Sequence, residues 1–503
     1  MTGAEIAPDR QSPHGDLPGF AVRHVALIAA VVAVVLTALS GRYGFHRDEL
    51  YFLAAGDHPA WGYVDQPPLT PMIARAVTEL FGAEPAGLRV AATLATLVTL
   101  VLAALICREF GGGTAAQTMT AAAVATSAFI LTVGHMLSTP TLDIPIWLGL
   151  CWVTLRMLRT GDSRWFVAAG VLIGVGIGNK FLIALPAVAL PLAVLAVGPR
   201  RILLSPWLIV GALAAAAIAA PTVVWQATHG WPQLAVAREI ADEDGALNRV
   251  TFLPYLIVYL SPPYAVLWIA GLWRLWRAPE LRWARAFPVA VAAVVAALIG
   301  TGGKPYYAIG LLVVALAAGA EPVWRWCVRR RLGWAVPAAV AVSAAINAVI
   351  ALPVLPVRAI GPVLAMNREP GEQVGWPELV DQVAVAWRAI PAGDRDGAVI
   401  VTQNYGQAGA IDRYGPELGL SPAYSGHMSY ADWGPPPAAA TGPVVVVHFP
   451  DDRRLRSAFV ECRLVATVDN GVGVDNSEQG TEIDLCRRPA QPWTQIWQTL
   501  RHY

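Results

Sequence analysis

Long apolar runs alternate with short polar segments along most of the chain. The first run follows Arg23, and the last ends before residue 355. A helix that crosses a bilayer needs about 20 apolar residues. The pattern therefore predicts a polytopic α-helical membrane protein with about eleven spans, at 24–41, 88–107, 114–134, 142–158, 165–179, 181–198, 203–225, 253–273, 285–301, 305–324 and 333–354.

The stretch 165–198 is long enough for one helix, but Gly-Asn-Lys at 178–180 interrupts it and favours two short spans. The distribution of Lys and Arg supports that choice. If the N-terminus lies inside, short inner loops hold 14 of these residues and the longer outer loops hold eight. Because positive residues favour the cytoplasmic side, we expect a cytoplasmic N-terminus and an outer C-terminus.

The pattern changes after residue 355, where charges return and the long apolar runs stop. A helix is predicted from Gly375, with Pro377 in its first turn. Short β-branched runs predict strands at 398–402, 444–449, 462–468 and 481–486. We therefore divide the chain into a cytoplasmic tail, a membrane domain with a large outer loop, and a small extracytoplasmic α/β domain, at 1–23, 24–355 with loop 43–87, and 356–503.

Composition agrees with a polytopic membrane protein, and the membrane that we expect is the plasma membrane. The chain is 56% hydrophobic and 14% charged, against about 25% charged in globular proteins. A net charge of +1 gives no signal for a nucleic-acid partner. Cys462 and Cys486 flank the last two predicted strands, in the region placed outside the cell. An oxidising compartment permits a disulfide there, and two free buried thiols are the alternative.

Ionisable side chains are concentrated at the predicted outer ends of the spans. Charged groups are costly within a membrane, so each of those at its edge calls for a structural or functional explanation. Together they bring acids and cations to one membrane face. That composition suits a site in which a base works beside an anionic group such as a phosphate. The candidate residues are Asp48, Glu49, Asp65, Asp143, Lys180, Arg238, Lys304, Tyr306 and Tyr307.

Structural roles remain open for most of these positions. Asp48 and Glu49 suit the N-terminus of a helix. Similar structural interpretations are a turn residue at Asp65, an N-cap at Asp143, interfacial cations at Lys180 and Lys304, hydrogen-bonded structural histidines at His46 and His135, and a solvated loop for the acids at 242–244.

Motifs for several other chemistries are absent from the sequence. There is no H-x-x-H, H-E-x-x-H or C-x-x-C, no G-x-x-x-x-G-K-[ST] loop, and no G-x-S-x-G. The sequence therefore contains no motif for ATP-driven chemistry and no motif for a serine nucleophile. No cofactor is assigned, and a divalent metal is only weakly signalled.

The acid pair Asp48–Glu49 after the first span, with the motifs that follow it, resembles the pattern of the GT-C glycosyltransferases, and closest of all that of the superfamily of protein O-mannosyltransferases and aminoarabinose transferases. Four motifs follow the pair in order. They are DQPPL at 65–69, STPTLDIP at 138–145, GNKF at 178–181 and GKPYYAIGLL at 303–312. The resemblance covers roughly residues 24–355. Later segments, such as NYGQAGAIDRYGPELGL and PWTQIWQTLRHY, are similar to a bacterial subgroup of the same superfamily.

The resemblance implies a sugar donor on a polyprenyl phosphate in the outer leaflet and a protein, lipid or glycan acceptor. Asp48 matches the catalytic acid-pair position, beside Glu49, and would act as general base with inversion at the sugar carbon. Asp143 matches a second acidic position, which helps to shape the acceptor or metal region.

The chain departs from the family pattern at three places. Asp65 stands where relatives often have Glu, and Gln66 stands where some have a phosphate-binding Lys. Another cation must then hold the phosphate, and Lys180, Arg238 and Lys304 are the candidates. Asp65 and Gln66 remain predicted contacts of the donor phosphate or the substrate. Some relatives bind a metal through a His before span eight, where this chain offers only His229 in a poor position.

Two other functional classes compete with a glycosyltransferase. A transporter or flippase of lipid-linked or envelope substrates would typically show internal repeats and charges near the bilayer midplane. This sequence shows no repeat, and its unusual charges lie at one face. A membrane-anchored binding or assembly protein would leave the charged first loop without a role.

Overall fold

The computed structural model describes residues 17–503, so the first 16 residues of the predicted cytoplasmic tail lie outside the described part. Every predicted span coincides with an apolar helix or a pair of helices. Within residues 17–503, five helices are long and apolar enough to cross a membrane without a break, namely Val22–Leu39, Pro85–Glu109, Thr139–Thr160, Pro206–Thr228 and Pro305–Arg329.

Two further candidate spans are bent pairs of helices, and four apolar helices are shorter. The pairs are Thr114–Ala125 with Ala128–His135, bent by 61°, and Gly245–Leu260 with Pro262–Arg277, bent by 93°. The shorter helices are Trp165–Ile177, Phe181–Val197, Ala286–Thr301 and Ala335–Ala351. The chain is thus a polytopic helical membrane protein, and its described residues hold five to seven candidate spans and four shorter apolar helices.

The prediction of one continuous helix over 253–273 is wrong, because the chain turns sharply at Ser261. This residue has a φ of 76°, outside the helical region, and Pro262 and Pro263 follow it. Proline lacks a backbone N–H and so cannot continue the hydrogen-bond pattern of the preceding helix. The break at 178–180, by contrast, falls where the sequence predicts it.

The polar connections contain helices of their own. Arg47–Asp57 and Leu69–Phe81 lie in the first predicted outer loop. The acids at 242–244, expected in a solvated loop, instead end the helix Pro232–Glu243. That helix forms because Pro232 suits a first helical turn and because Val236 is buried on its inner side.

The C-terminal region is a mixed α/β structure whose predicted strands are all present. The strands are β1 Val399–Thr402, β2 Ala423–Ser425, β3 Val444–His448, β4 Phe459–Val460, β5 Arg463–Thr467, β6 Glu482–Cys486 and β7 Arg488–Pro489. Five of them form one sheet in the order β2-β1-β3-β6-β5, while β4 pairs with β7. In the larger sheet, β1 is parallel to β2 and β3, and β6 is antiparallel to β3 and β5.

Helices surround this sheet, and a disulfide joins two of its segments. The predicted helix begins at Trp376 with Pro377 in its first turn. Cys462 and Cys486 are bonded to each other. The helices of the region are Gly361–Leu364, Trp376–Arg388, Tyr405–Tyr414, Met428–Asp432, Arg453–Ser457 and Trp493–Leu500.

The first predicted outer loop and the C-terminal region share one hydrophobic core. Phe45, Leu50 and Tyr51 pack in the same cluster as Trp376 and Ile400. The helix Arg47–Asp57 approaches the helix Tyr405–Tyr414 so closely that a Cβ at Gly409 would lie 3.0 Å from the Leu50 backbone. This close packing fixes the polar face of the first loop against the C-terminal region.

Candidate active site

A cavity of about 690 Å³ opens where the first loop, the ends of several membrane helices and the C-terminal region meet. Its walls carry both acids and cations. Among the residues predicted from the sequence, the cavity brings together Asp48, Asp65, Gln66, Lys180, Lys304, Tyr306 and Tyr307. These seven come from four separate segments of the chain, so the fold assembles them as the one-face prediction expects.

Asp48 lies in the first turn of the helix Arg47–Asp57, with about a third of its side chain exposed. The Tyr405 hydroxyl donates a hydrogen bond of 2.7 Å to Asp48 Oδ1. Burial by itself would raise the pKa of Asp48, but the charges of His46 and Arg47, with the Tyr405 hydrogen bond, hold that pKa below its usual value. The carboxylate is therefore ionised at neutral pH and can accept a proton.

His46 connects Asp48 to a second acid on the cavity wall. The Asp48 backbone N–H donates to His46 Nδ1 over 3.1 Å, and His46 Nε2 lies 2.9 Å from Glu369 Oε2. The second contact is an ion pair when the His46 ring is protonated. Although burial lowers the pKa of His46, its contacts with Glu369 and Asp48 outweigh burial and raise it.

Asp65 faces the same cavity from the middle of the first loop. The Tyr51 hydroxyl donates a hydrogen bond of 2.7 Å to Asp65 Oδ1. Burial raises the pKa of Asp65 to about 6, although this hydrogen bond opposes the shift. Two acids of one loop thus have different proton affinities, because only Asp48 has cationic neighbours close enough to outweigh burial.

The cations of the cavity differ in their partners. Lys304 Nζ lies 3.8 Å from Asp244 Oδ2. Lys180 Nζ lies 5.5 Å and 4.6 Å from the ring centroids of Tyr306 and Tyr307, and within residues 17–503 it forms no ion pair with a carboxylate. Lys180 is therefore the predicted cation that is best placed to receive an anionic ligand.

Glu49 does not line the cavity, although it was predicted as a catalytic residue beside Asp48. It is fully buried, and its carboxylate pairs with buried Arg89 at 2.7 Å and 2.9 Å. It also accepts hydrogen bonds from the backbone N–H groups of His46 and Leu137. The bond from His46 completes a capping box, so the structure favours a capping role for Glu49.

Asp143 and Arg238 also lie outside the cavity lining. Asp143 is 7% exposed inside the helix Thr139–Thr160, and its Oδ1 has no hydrogen-bond partner within the described residues. The N-cap of that helix is Ser138, so the N-cap interpretation of Asp143 is wrong. Arg238 is exposed because its position on the helix Pro232–Glu243 points away from the buried side, and it is a poor candidate for the phosphate.

The histidines and acids do not suggest a metal site. Across the described part of the chain, no three His, Cys, Asp or Glu side chains are grouped closely enough to hold an ion. His135 is buried against Arg89, with Nε2 3.1 Å from Arg89 Nη1. The exposed His229 stacks on Trp225 at 4.0 Å and does not line the cavity.

Several residues of the cavity were missed by the sequence prediction. Arg47, Arg368, Glu369, Tyr405 and His427 all line it. The segment that carries Tyr405 resembles a bacterial subgroup, and that likeness was the available signal. Nothing local marks Arg368 and Glu369, which follow the last predicted span by more than ten residues.

Residues 65–225 match the profile of the family described as dolichyl-phosphate-mannose-protein mannosyltransferase. This segment contains Asp65, Gln66, Asp143 and Lys180 and ends before Lys304. Among curated protein sequences, none matches the chain.

The fold is similar to that of ArnT from Cupriavidus metallidurans in its structure bound to undecaprenyl phosphate. That likeness covers 92% of this chain and 97% of ArnT, with a TM-score of 0.59 at 17% identity. The apo state of ArnT gives the same TM-score and identity over 93% of this chain and 98% of ArnT. The arabinofuranosyltransferase AftD from Mycobacteria matches over 93% of this chain and 40% of its own, with a TM-score of 0.53 at 16% identity.

The matched family segment includes part of the cavity, and the likeness to ArnT extends over almost the whole chain. Residues 65–225 are thus similar to the mannosyltransferase family, and the chain as a whole has a fold similar to that of ArnT.

Proposed function

We propose that the protein transfers a sugar from a polyprenyl phosphate to an extracytoplasmic acceptor, with Asp48 as the general base. One observation carries the proposal: an ionised carboxylate and an ammonium group without a carboxylate partner line the same cavity. These are Asp48 and Lys180. Sugar transfer from a lipid phosphate needs both a base and a cation for the departing phosphate.

The reaction requires one proton transfer and one exchange of bonds at the anomeric carbon. Asp48 takes the proton of the acceptor hydroxyl or amine as that atom bonds to the anomeric carbon. The bond from this carbon to the phosphate oxygen breaks, and the electron pair leaves with the polyprenyl phosphate. Attack opposite the leaving group inverts the configuration of the sugar carbon.

Lys180 is the proposed partner of the donor phosphate, with Lys304 in support. A phosphate oxygen near Lys180 Nζ would add a charge-assisted hydrogen bond to the existing contacts with the two tyrosine rings. Lys304 already pairs with Asp244, so it contributes less to a new anion. The undecaprenyl phosphate bound by ArnT supports a polyprenyl phosphate as the lipid here.

The cavity would then lie at the outer face of the plasma membrane. This placement rests on the bias of Lys and Arg, with the N-terminus in the cytoplasm, about eleven spans and an extracytoplasmic C-terminal region. It fits a donor that is presented from the outer leaflet and an acceptor in the cell envelope.

The direct test is the Asp48→Asn variant of the full-length protein in a transfer assay with polyprenyl-phosphate sugars. Removing the base should reduce the rate by at least about 100-fold. Binding of the lipid phosphate should persist, because Lys180 is untouched. Asp57→Asn is the matched control, since Asp57 is an exposed acid at the other end of the same helix. Wild-type transfer by Asp48→Asn would exclude Asp48 as the base.

A further inference from the structure

Gln66 is a buried carboxamide on the cavity wall that lacks hydrogen-bond partners. Its side chain is 2% exposed. Neither Oε1 nor Nε2 has a hydrogen-bond partner among residues 17–503. Buried polar groups in folded proteins are almost always satisfied, and each one that is not costs free energy. An amide with both ends unsatisfied at a cavity is therefore prepared for a ligand.

The chemistry of the amide restricts what this ligand group is. Gln66 offers an acceptor at Oε1 and two N–H donors at Nε2. Phosphate oxygens at neutral pH only accept hydrogen bonds. A phosphate would therefore satisfy the Nε2 donors of Gln66 but would offer no donor to Oε1. Two neighbouring hydroxyl groups of a sugar offer a donor and an acceptor together, and they match both ends of the amide.

The groups near Gln66 fit an arrangement in which Gln66 binds the sugar and a separate cation binds the phosphate. The Tyr51 hydroxyl donates to Asp65 Oδ1, and the Asp65 side chain also lines the cavity, where its carboxyl group can accept from a sugar hydroxyl. Lys180 has no carboxylate partner within the described residues and supplies the positive charge that a phosphate requires. The cavity thus separates a neutral and acidic wall, suited to a sugar, from an ammonium group suited to a phosphate.

The backbone around Gln66 is tied to the turn that carries Lys180. The Leu69 backbone N–H donates to the Gly178 carbonyl oxygen at 2.8 Å, and the Thr70 hydroxyl donates to Asn179 Oδ1 at 2.8 Å. On the other side, the Gln66 carbonyl oxygen accepts from the Tyr63 backbone N–H at 2.8 Å. These bonds hold the amide at a fixed position relative to Lys180, as recognition of a sugar attached to a phosphate demands.

We propose that Gln66 recognises the sugar of the donor through a pair of neighbouring hydroxyl groups and does not bind its phosphate. The inference rests on the proposed function and assigns Gln66 as a determinant of sugar specificity. It also gives this position a role that differs from that of the phosphate-binding Lys found there in some relatives.

The test compares binding of lipids with and without a sugar to the purified full-length protein. The probes are undecaprenyl phosphate and undecaprenyl phosphate linked to mannose, glucose or arabinofuranose. Gln66→Met keeps the length of the side chain but removes both hydrogen-bonding ends. We expect it to leave the Kd for undecaprenyl phosphate within about twofold and to weaken the best sugar-linked probe about tenfold.

Lys180→Gln is the matched variant for the phosphate, and we expect it to weaken all probes by a similar factor. Equal weakening of the bare and the sugar-linked lipid by Gln66→Met would overturn the inference, and so would no change with either probe. The proposed function fails separately if the wild-type protein binds none of these lipids.

The Tm measured without lipid shows whether the Gln66→Met variant folds normally. Because Gln66→Met removes an unsatisfied buried amide, the Tm of the free variant should equal or exceed that of the wild type. A lower Tm would show that the amide has a structural role that the proposal denies. Gln66→Glu gives a second variant, which should weaken the sugar-linked probe as well, since it replaces the Nε2 donors with an acceptor.

Discussion

The two adjacent acids of the first loop should give opposite phenotypes when replaced. Asp48 lines the cavity, whereas Glu49 is fully buried with Arg89, which is 1% exposed. We expect Glu49→Ala to lower stability, and we expect Asp48→Asn to abolish transfer while the Tm stays close to that of the wild type.

The size of the Glu49 effect follows from what the substitution leaves behind. The carboxylate accepts two hydrogen bonds from Arg89 and one each from the backbone N–H groups of His46 and Leu137. Glu49→Ala would leave a guanidinium buried without its counter-charge, and removing one partner of such a pair costs about 3–5 kcal/mol. The two orphaned N–H groups add to this cost, each by about 1–3 kcal/mol where water cannot reach them.

Thermal unfolding in detergent, followed by tryptophan fluorescence, measures the effect, because the chain contains 19 tryptophans. Glu79→Gln is the matched control. Glu79 pairs with Arg75 at 2.9 Å, but both side chains are about half exposed or more, so this substitution should cost at most about 1 kcal/mol. The reasoning would be refuted by a Glu49→Ala protein that keeps the wild-type Tm but loses transfer.

Two further predictions concern stability. Asp65→Asn should stabilise the protein above pH 6, because the pKa of the folded carboxyl is about 6 against 3.8 for an ordinary Asp, a difference of at most about 3 kcal/mol. The gain should grow between about pH 4 and pH 6 and vanish below, and pH-dependent melting curves check it; a constant gain at all pH values would contradict the cause. Replacing Cys462 and Cys486 by Ser opens a link between residues 24 positions apart and should cost about 3–4 kcal/mol, seen as faster proteolysis of the C-terminal region; unchanged proteolysis would contradict it.

The membrane helices and the strands were predictable because each depends on a local pattern. Apolar length places the spans, and runs such as VVVV at 444–447 place buried strands. The bend at Ser261 was not predicted, although two prolines follow that residue, because apolar length alone does not report the direction of the chain. The convergence of Asp48, Lys180 and Lys304 on one cavity was predicted from topology, since all three fall in loops that the sequence predicts on the same face.

The local sequence could not predict that Asp48 lines the cavity while Glu49 is buried. Successive residues of a helix point about 100° apart, so two adjacent acids cannot both face one cavity equally. Which of them turns inward depends on Arg89, 40 residues away, and on Leu137, 88 residues away. A sequence shows that both acids are present, but only the packing of three segments decides which one is neutralised.

The same reasoning applies to the partners of Asp48 itself. Tyr405, whose hydroxyl bonds to Asp48, is 357 residues away, and Glu369 reaches the site through His46 from beyond the last predicted span. Such contacts leave no periodic pattern in the sequence, because neither residue needs a particular neighbour along the chain. Since both follow residue 355, the C-terminal region supplies part of the wall around the proposed base. It therefore helps to set the charge and the position of Asp48, in addition to any contact it makes with an acceptor.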